Sequence, residues 1–215
     1  MVSRFYIGSV LSSPDAPLQP ARISGRTVAR ETLLGTSNLL GTPSVPLLRL
    51  DRMVGWLSLY RADRFPPGHP AAPQHSQGDK EAYLATLECE EVAFLSQPLV
   101  SLRDEGPSAT GLIRRVGGWR TSRVDLLLRR GPRFFDEAEL RRAIRRTVWK
   151  WVRSLAWRTL KQFRTRDSEF LLYQRLCLDD LIPRLRDAGY ATEAMLLDHF
   201  RSGLSRFELA GDTAG

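Results

Sequence analysis

The clearest structural pattern in this chain lies in residues 136–157, DEAELRRAIRRTVWKWVRSLAW. Asp136 is a typical N-cap residue, and the glutamates at 137 and 139 suit the positive end of a helix dipole. The stretch therefore predicts a long helix with one buried stripe. Its apolar members recur every three or four residues, as one face of an α-helix requires: Leu140, Ile144, Val148, Trp151 and Leu155.

The opposite side of this predicted helix is basic and carries a tryptophan. At about 100° per residue, Arg142, Arg145, Arg146, Trp149 and Arg153 fall away from the apolar stripe. A tryptophan that faces water forfeits the favourable free energy of burying a large ring, so its exposure suggests a functional role. It could stack on an unpaired base, anchor a protein interface, or lie at a membrane surface. Alternatively, another part of the chain covers this face and the ring is ordinary packing.

The segment before the helix reads as a β-hairpin. Gly117 and Gly118 separate two apolar and basic runs, 112–116 and 119–128, and tight hairpin turns need residues with positive φ. Gly131 and Pro132 are expected to end this unit. The hairpin would add Arg114, Arg115, Arg120 and Arg123 to the basic surface. The alternative is a solvated edge hairpin whose charges only discourage aggregation.

Positive charge is concentrated around these two elements. The chain has 32 basic and 24 acidic residues, a formal net charge of +8. Residues 113–166 contain 17 of the basic and 4 of the acidic residues, so the rest of the chain is net negative. Such local concentration is typical of a surface that binds a polyanion.

The remaining pattern predicts an α+β fold. Strands are expected at Arg4–Leu11, in the second part of Leu47–Tyr60, and with a bend at Tyr83–Phe94, and a short helix at Thr27–Leu34. Ser168 and Thr192 are expected to cap two further helices separated by Gly189. We therefore predict an N-terminal antiparallel sheet with short helices over 1–132, followed by a helical region over 133–215. The two regions could also form one compact domain.

Several classes of protein lack support in the sequence. There is no signal-peptide pattern and no apolar run long enough for a membrane span, so we expect no integral membrane association. Cys89 and Cys177 lie far apart, which favours free thiols in a reducing, cytoplasmic setting. Phosphate-binding loops, zinc motifs and a GxSxG motif are absent. We therefore expect no cofactor, no metal site and no catalytic residue.

Two short patches carry a resemblance to a known family. An N-terminal strand ends at Ser13-Pro14, and residues 124–128 lead into Asp136–Leu140. In these patches the chain resembles the repeat-associated RNA-binding subunits of CRISPR complexes. The resemblance implies a ferredoxin-like fold that binds RNA with basic hairpins. The glycine-rich loop common in that family is missing here.

The sequence thus predicts a non-catalytic subunit of a nucleoprotein complex. This subunit would bind RNA or single-stranded nucleic acid and contact other protein subunits. The resemblance implies that the complex is of the CRISPR type. The alternatives are a structural or adaptor subunit of a protein assembly, and a metal-independent RNA-processing nuclease that uses arginine and tyrosine. The predicted nucleic-acid contacts are Arg114, Arg115, Arg120, Arg123, Arg141, Arg142, Arg145, Arg146, Trp149, Lys150, Arg153 and Arg158.

Overall fold

The computed structural model of the chain describes residues 2–7, 10–11, 19–36, 78–88, 91–102, 115–162 and 168–212. The strands in these ranges are β1 (Val2–Ile7), β2 (Val10–Leu11), β3 (Ala21–Ser24) and β4 (Glu91–Leu102). The helices are α1 (Gly25–Leu34), α2 (Gly78–Leu87), α3 (Gly118–Phe134), α4 (Glu137–Gln162), α5 (Ser168–Asp187) and α6 (Ala191–Asp212). The α+β class predicted from the sequence is confirmed, with helices predominating.

These elements belong to two compact units. The first contains the described residues up to 102 together with 130–136, and the second contains 115–129 and the described residues from 137 onward. The short segment 130–136, at which the sequence pattern changes from β-like to helical, groups with the sheet. The predicted boundary after residue 132 stays a prediction.

The sheet of the first unit is mixed, not antiparallel throughout. Its strand order is β2-β1-β4-β3. β1 pairs antiparallel with β2 and β3 pairs antiparallel with β4, but β1 and β4 run parallel. A parallel pair needs a long crossover connection, which the chain between Ile7 and Glu91 supplies. The prediction of a wholly antiparallel sheet was wrong, because the alternation of apolar and polar residues within a strand carries no information about the direction of its neighbour.

The predicted strand over Tyr83–Phe94 is half wrong. Residues up to Leu87 form the end of α2, where Tyr83, Leu84 and Leu87 are buried at helical spacing. The strand begins only at Glu91, and its buried Val92 and Phe94 alternate with exposed positions. The predicted strand within Leu47–Tyr60 lies outside the described residues.

The predicted basic hairpin is wrong, because Gly118–Phe134 is a helix. Thr121, Val124 and Leu127 are buried three residues apart, and the helix runs through Pro132 instead of ending at Gly131. Three consecutive leucines, strong helix formers, occupy its middle. Gly117 does have the predicted positive φ, at 75°, but it precedes a helix. The hairpin that the family resemblance implied is therefore not formed by this segment.

The helical prediction from residue 136 onward is confirmed. α4 buries the whole predicted stripe, and α5 begins at Ser168, which is its first residue and not the cap that was expected. Gly189, with φ of 80°, follows α5, and the Tyr190 N–H donates a 2.8 Å hydrogen bond to the Leu185 carbonyl. α6 begins at Ala191, so Thr192 lies inside its first turn and is not its cap.

A chain of buried hydrogen bonds holds α4 and α5 to the start of α3. Trp151 Nε1 donates to Gln174 Oε1 at 2.8 Å, and Gln174 Nε2 donates to the carbonyl oxygen of Val116. The Thr121 and Tyr173 hydroxyl oxygens lie 3.3 Å apart, also buried. Since a buried polar group that loses its partner costs stability, these bonds specify one arrangement of the three helices.

We predict that Gly117→Ala destabilises the protein by about 2 kcal/mol, since a left-handed backbone alone costs an L-residue about 1–2 kcal/mol. A β-carbon at Gly117 would also lie 3.1 Å from Gln174 Nε2 and 3.3 Å from Arg158 Nη1. Gly189→Ala is the matched control, since its φ is similar and nothing lies within 4 Å of its β-carbon. Urea unfolding should show the larger loss at Gly117, and equal losses would mean that the crowding there is relieved without cost.

Candidate nucleic-acid interface

The outer face of α4 is basic and carries an exposed tryptophan, as the helical projection predicted. Arg142, Arg145, Arg146, Lys150 and Arg153 are all exposed. Trp149 lies among them with 49% of its surface exposed, while Trp151 on the opposite face is 1% exposed. The exposed half of the indole disfavours the alternative in which Trp149 is an ordinary packing residue.

The cations of this face are not neutralised by acidic neighbours in the described part of the chain. We call them, together with two cations of α3, the unpaired cations. The side chains of this set make no ion pair or hydrogen bond with another described residue. The set consists of Arg120, Arg123, Arg142, Arg145, Arg146, Lys150 and Arg153. A charged surface left uncompensated in this way attracts anions of the opposite sign.

Acidic residues of the second unit pair with arginines elsewhere. Asp125 accepts from Arg184 Nη2 at 2.7 Å and from Arg129 Nη2 at 3.0 Å, and its side chain is 3% exposed. Asp198 accepts from Arg186 Nη2 at 2.9 Å. The acids thus stabilise the helix assembly and leave the outer face of α4 positive.

Two arginines of α3 join the cations of α4. Desolvation lowers the pKa of Lys150, and the positive charges of Arg146, Arg123 and Arg120 lower it further. Burial and then the charge of Arg120 lower the pKa of Arg123, and burial and then the charge of Arg158 lower that of Arg120. We call Arg120, Arg123, Arg146 and Lys150 the basic cluster. Like charges held together without an acid cost free energy, which a bound polyanion would recover.

Two further predicted residues are engaged in internal contacts. The Arg115 side chain lies 3.6 Å from Glu169, and its carbonyl oxygen accepts a 3.0 Å hydrogen bond from Arg158 Nη1. The Arg158 guanidinium also lies over the Phe170 ring, 5.7 Å from the centroid. The Arg158 side chain therefore joins α4 to α5 and to the segment before α3, and the Arg115 side chain joins that segment to α5.

Arg141 is similar, because it pairs with Glu137 at 3.5 Å and lies 5.5 Å from the centroid of the Tyr190 ring. Its contribution to a ligand would compete with these contacts. Arg114 lies outside the described residues. Of the twelve predicted contacts, the structure brings together the seven unpaired cations and Trp149 as the candidate site.

Two exposed apolar residues of the same helix are not among the twelve predicted contacts. Trp157 is 63% exposed and Leu160 is 69% exposed. At about 100° per residue both fall on the outer half of α4, with Trp149. The helical projection of the sequence places both residues off the apolar stripe, and it assigns Trp157 to the protein interface of the adaptor alternative.

The described residues contain no helix that is long and apolar enough to cross a membrane. Cys177 is a buried thiol that is not part of a disulfide.

Fold and site together define an α+β chain whose second unit presents the unpaired cations and an indole on two neighbouring helices. No protein-family model, no curated protein and no solved structure matches this chain.

Proposed function

We propose that this protein binds RNA or single-stranded nucleic acid as a non-catalytic subunit of a nucleoprotein complex. The observation that carries the proposal is the combination of seven cations that have no acidic partner among the described residues with the half-exposed ring of Trp149. A protein that needed these arginines only for solubility would gain nothing from placing an indole among them.

The two kinds of side chain would perform different tasks. Guanidinium and ammonium groups neutralise phosphates and release condensed counterions, which supplies affinity without regard to sequence. The indole offers a flat apolar surface on which a base can stack. Bases inside a duplex are already stacked on one another, so the exposed ring favours unpaired strands.

We predict a steep salt dependence of binding. If most of the unpaired cations contact phosphates, the logarithm of the association constant should fall by about 3–5 per tenfold rise in salt, because a single strand contributes about 0.7 per neutralised phosphate. Fluorescence anisotropy of a labelled single-stranded oligonucleotide between 50 and 200 mM salt measures this slope. A slope near zero would remove the proposal.

An adaptor subunit is the second candidate, favoured by Leu160 and Trp157. Exposed apolar side chains beside arginines are also typical of protein interfaces. Purification separates the candidates: a nucleic-acid carrier should copurify with a raised 260/280 absorbance ratio that a high-salt wash lowers. An adaptor should instead retain a stoichiometric protein partner with the absorbance ratio of pure protein. The nuclease alternative, the CRISPR-type assignment and the cytoplasmic location stay predictions from the sequence.

A further inference from the structure

Three residues of α4 form a ridge in which an arginine separates two exposed tryptophans. Trp149, Arg153 and Trp157 follow one another at steps of four, so they lie along one row of the helix surface. Trp149 is 49% exposed, Trp157 is 63% exposed, and Arg153 is exposed between them. Arg153 has no ion pair or hydrogen bond with any other residue that the structure describes.

Helix geometry sets the separation of the two rings. Eight residues at a rise of about 1.5 Å each place the two tryptophan positions about 12 Å apart along the axis of α4. Successive phosphates of a stacked strand advance about 3.4 Å per nucleotide, so this distance corresponds to about three to four stacked steps. The two indoles are therefore too far apart to stack on adjacent bases of a stacked strand.

We propose that this ridge binds one single strand at two stacking points, with one base on Trp149, another on Trp157, and the intervening backbone on Arg153. The inference rests on the proposed function and deepens it, since it names an unpaired strand of at least about four nucleotides as the ligand. The exposed Leu160, three residues beyond Trp157, extends the apolar surface at the second point.

The charge around the ridge fits a strand better than an isolated base or nucleotide. Arg146 lies three residues before Trp149 and Lys150 directly follows it, so cations flank the first stacking point of the ridge. A mononucleotide would engage one indole and leave the other, and most of the cations, in water. A strand engages both rings and several cations in one molecule, which raises the effective concentration of the second contact.

The experiment compares two ligands of equal charge. One is an oligothymidylate, and the other is a strand of the same length in which every base is replaced by an abasic sugar. Anisotropy titrations use the full chain and the variants Trp149→Ala, Trp157→Ala and their double. Leu172→Ala is the matched control, because Leu172 is 49% exposed on α5 and lies off the ridge. Since the substituted side chains are exposed, the variants are expected to fold, and unfolding curves check this.

The unaltered protein should bind the oligothymidylate of six nucleotides more tightly than the abasic strand. Each tryptophan variant should lose about fivefold or more of its affinity for the oligothymidylate, the range that one lost stack spans being about 5- to 150-fold. The double variant should bind both ligands equally, and Leu172→Ala should behave like the unaltered protein. A dinucleotide is too short to reach both rings. Its loss of affinity should therefore be no larger in the double variant than in the more affected single variant.

Failure of the inference differs from failure of the proposed function. If both strands bind with equal affinity and a steep salt slope, the cations bind nucleic acid but the ridge does not stack bases, and the two-point inference is overturned. A different result would be that the double substitution weakens binding of the dinucleotide as much as binding of the hexanucleotide. In that case the two rings do not act at separate points, and the two-point inference is again overturned. If neither strand binds at 50 mM salt, the proposed function itself is wrong.

Discussion

Replacing Arg184 by alanine should destabilise the second unit by about 2–4 kcal/mol, the largest stability loss that we expect from one surface-accessible side chain. Arg184 Nη2 lies 2.7 Å from Asp125 Oδ1, and the Asp125 side chain is 3% exposed. Removal of the guanidinium deprives a buried carboxylate of its shorter ion pair, while Arg129 still lies 3.0 Å from it. A buried charge that loses a partner cannot regain it from water, so the cost is high.

The protonation of Arg184 agrees with this role. Burial alone would lower the pKa of Arg184, but the charge of Asp125 and the hydrogen bond to it outweigh burial, and the pKa is raised. Asp180, one turn earlier on α5, accepts from Arg184 Nη1 at 2.9 Å and adds to the effect. The guanidinium therefore stays charged in the folded protein.

Arg186→Ala is the control for this prediction. Arg186 lies two residues further along α5 and pairs with Asp198 at 2.9 Å, but its side chain is 53% exposed. Solvent screens such a pair, so its loss should cost less than about 1 kcal/mol. Urea unfolding followed by circular dichroism compares the two variants. Losses of the same size would show that burial of Asp125 does not govern the stability of the α3–α5 contact.

The second large effect concerns binding. The triple variant Arg146→Gln, Lys150→Gln, Arg153→Gln should weaken the binding of a single-stranded oligonucleotide at physiological salt by about 10- to 100-fold. It should also lower the magnitude of the salt slope by up to about 2, because three phosphate contacts are lost. Anisotropy titrations at several salt concentrations give both quantities.

A second triple variant removes the same charge from another set of positions. Arg22, Arg133 and Arg186 are each paired with an acid, at 3.9 Å, 2.6 Å and 2.9 Å. Their replacement by glutamine lowers the net charge equally, so it should weaken binding only slightly. Equal weakening by the two triples would mean that the overall charge of the protein, and not the outer face of α4, attracts the ligand.

Stability provides an independent check on the first triple. Arg146 and Lys150 are like charges one helical turn apart, an arrangement that costs a helix about 0.2–0.5 kcal/mol. Their neutralisation should therefore leave the free energy of unfolding unchanged or slightly raise it. Weaker binding without lower stability is typical of residues kept for function at some cost to the fold.

The candidate site was predictable in part because α4 is amphipathic over its whole length. A buried stripe that repeats every three or four residues determines which side chains face away from it, so the position of Trp149 opposite the stripe followed from spacing alone. Arg120 and Arg123 were predicted as site residues on the wrong element. A glycine pair between apolar runs is a feature of hairpins, but here Gly117 has its positive φ immediately before a helix. The spacing of Thr121, Val124 and Leu127 was the contrary signal.

Other features left no local trace in the chain. The parallel pairing of β1 with β4 joins residues more than 80 positions apart, and a strand has the same alternation whichever way its neighbour runs. The pairing of Asp125 with Arg184 is of the same kind. Before the helices are assembled, nothing distinguishes this aspartate from the many other charges of the chain.

The amino-acid sequence by itself determined which part of the chain is basic, that this part contains a long amphipathic helix, and that Trp149 lies opposite the apolar stripe, because composition and helical periodicity are local properties. Only the tertiary structure decided which arginines form ion pairs with aspartates and glutamates and which belong to the unpaired cations. Ion pairs depend on which helices become neighbours, and that choice is made by buried contacts such as Trp151 with Gln174 and Arg184 with Asp125, between residues distant in the chain.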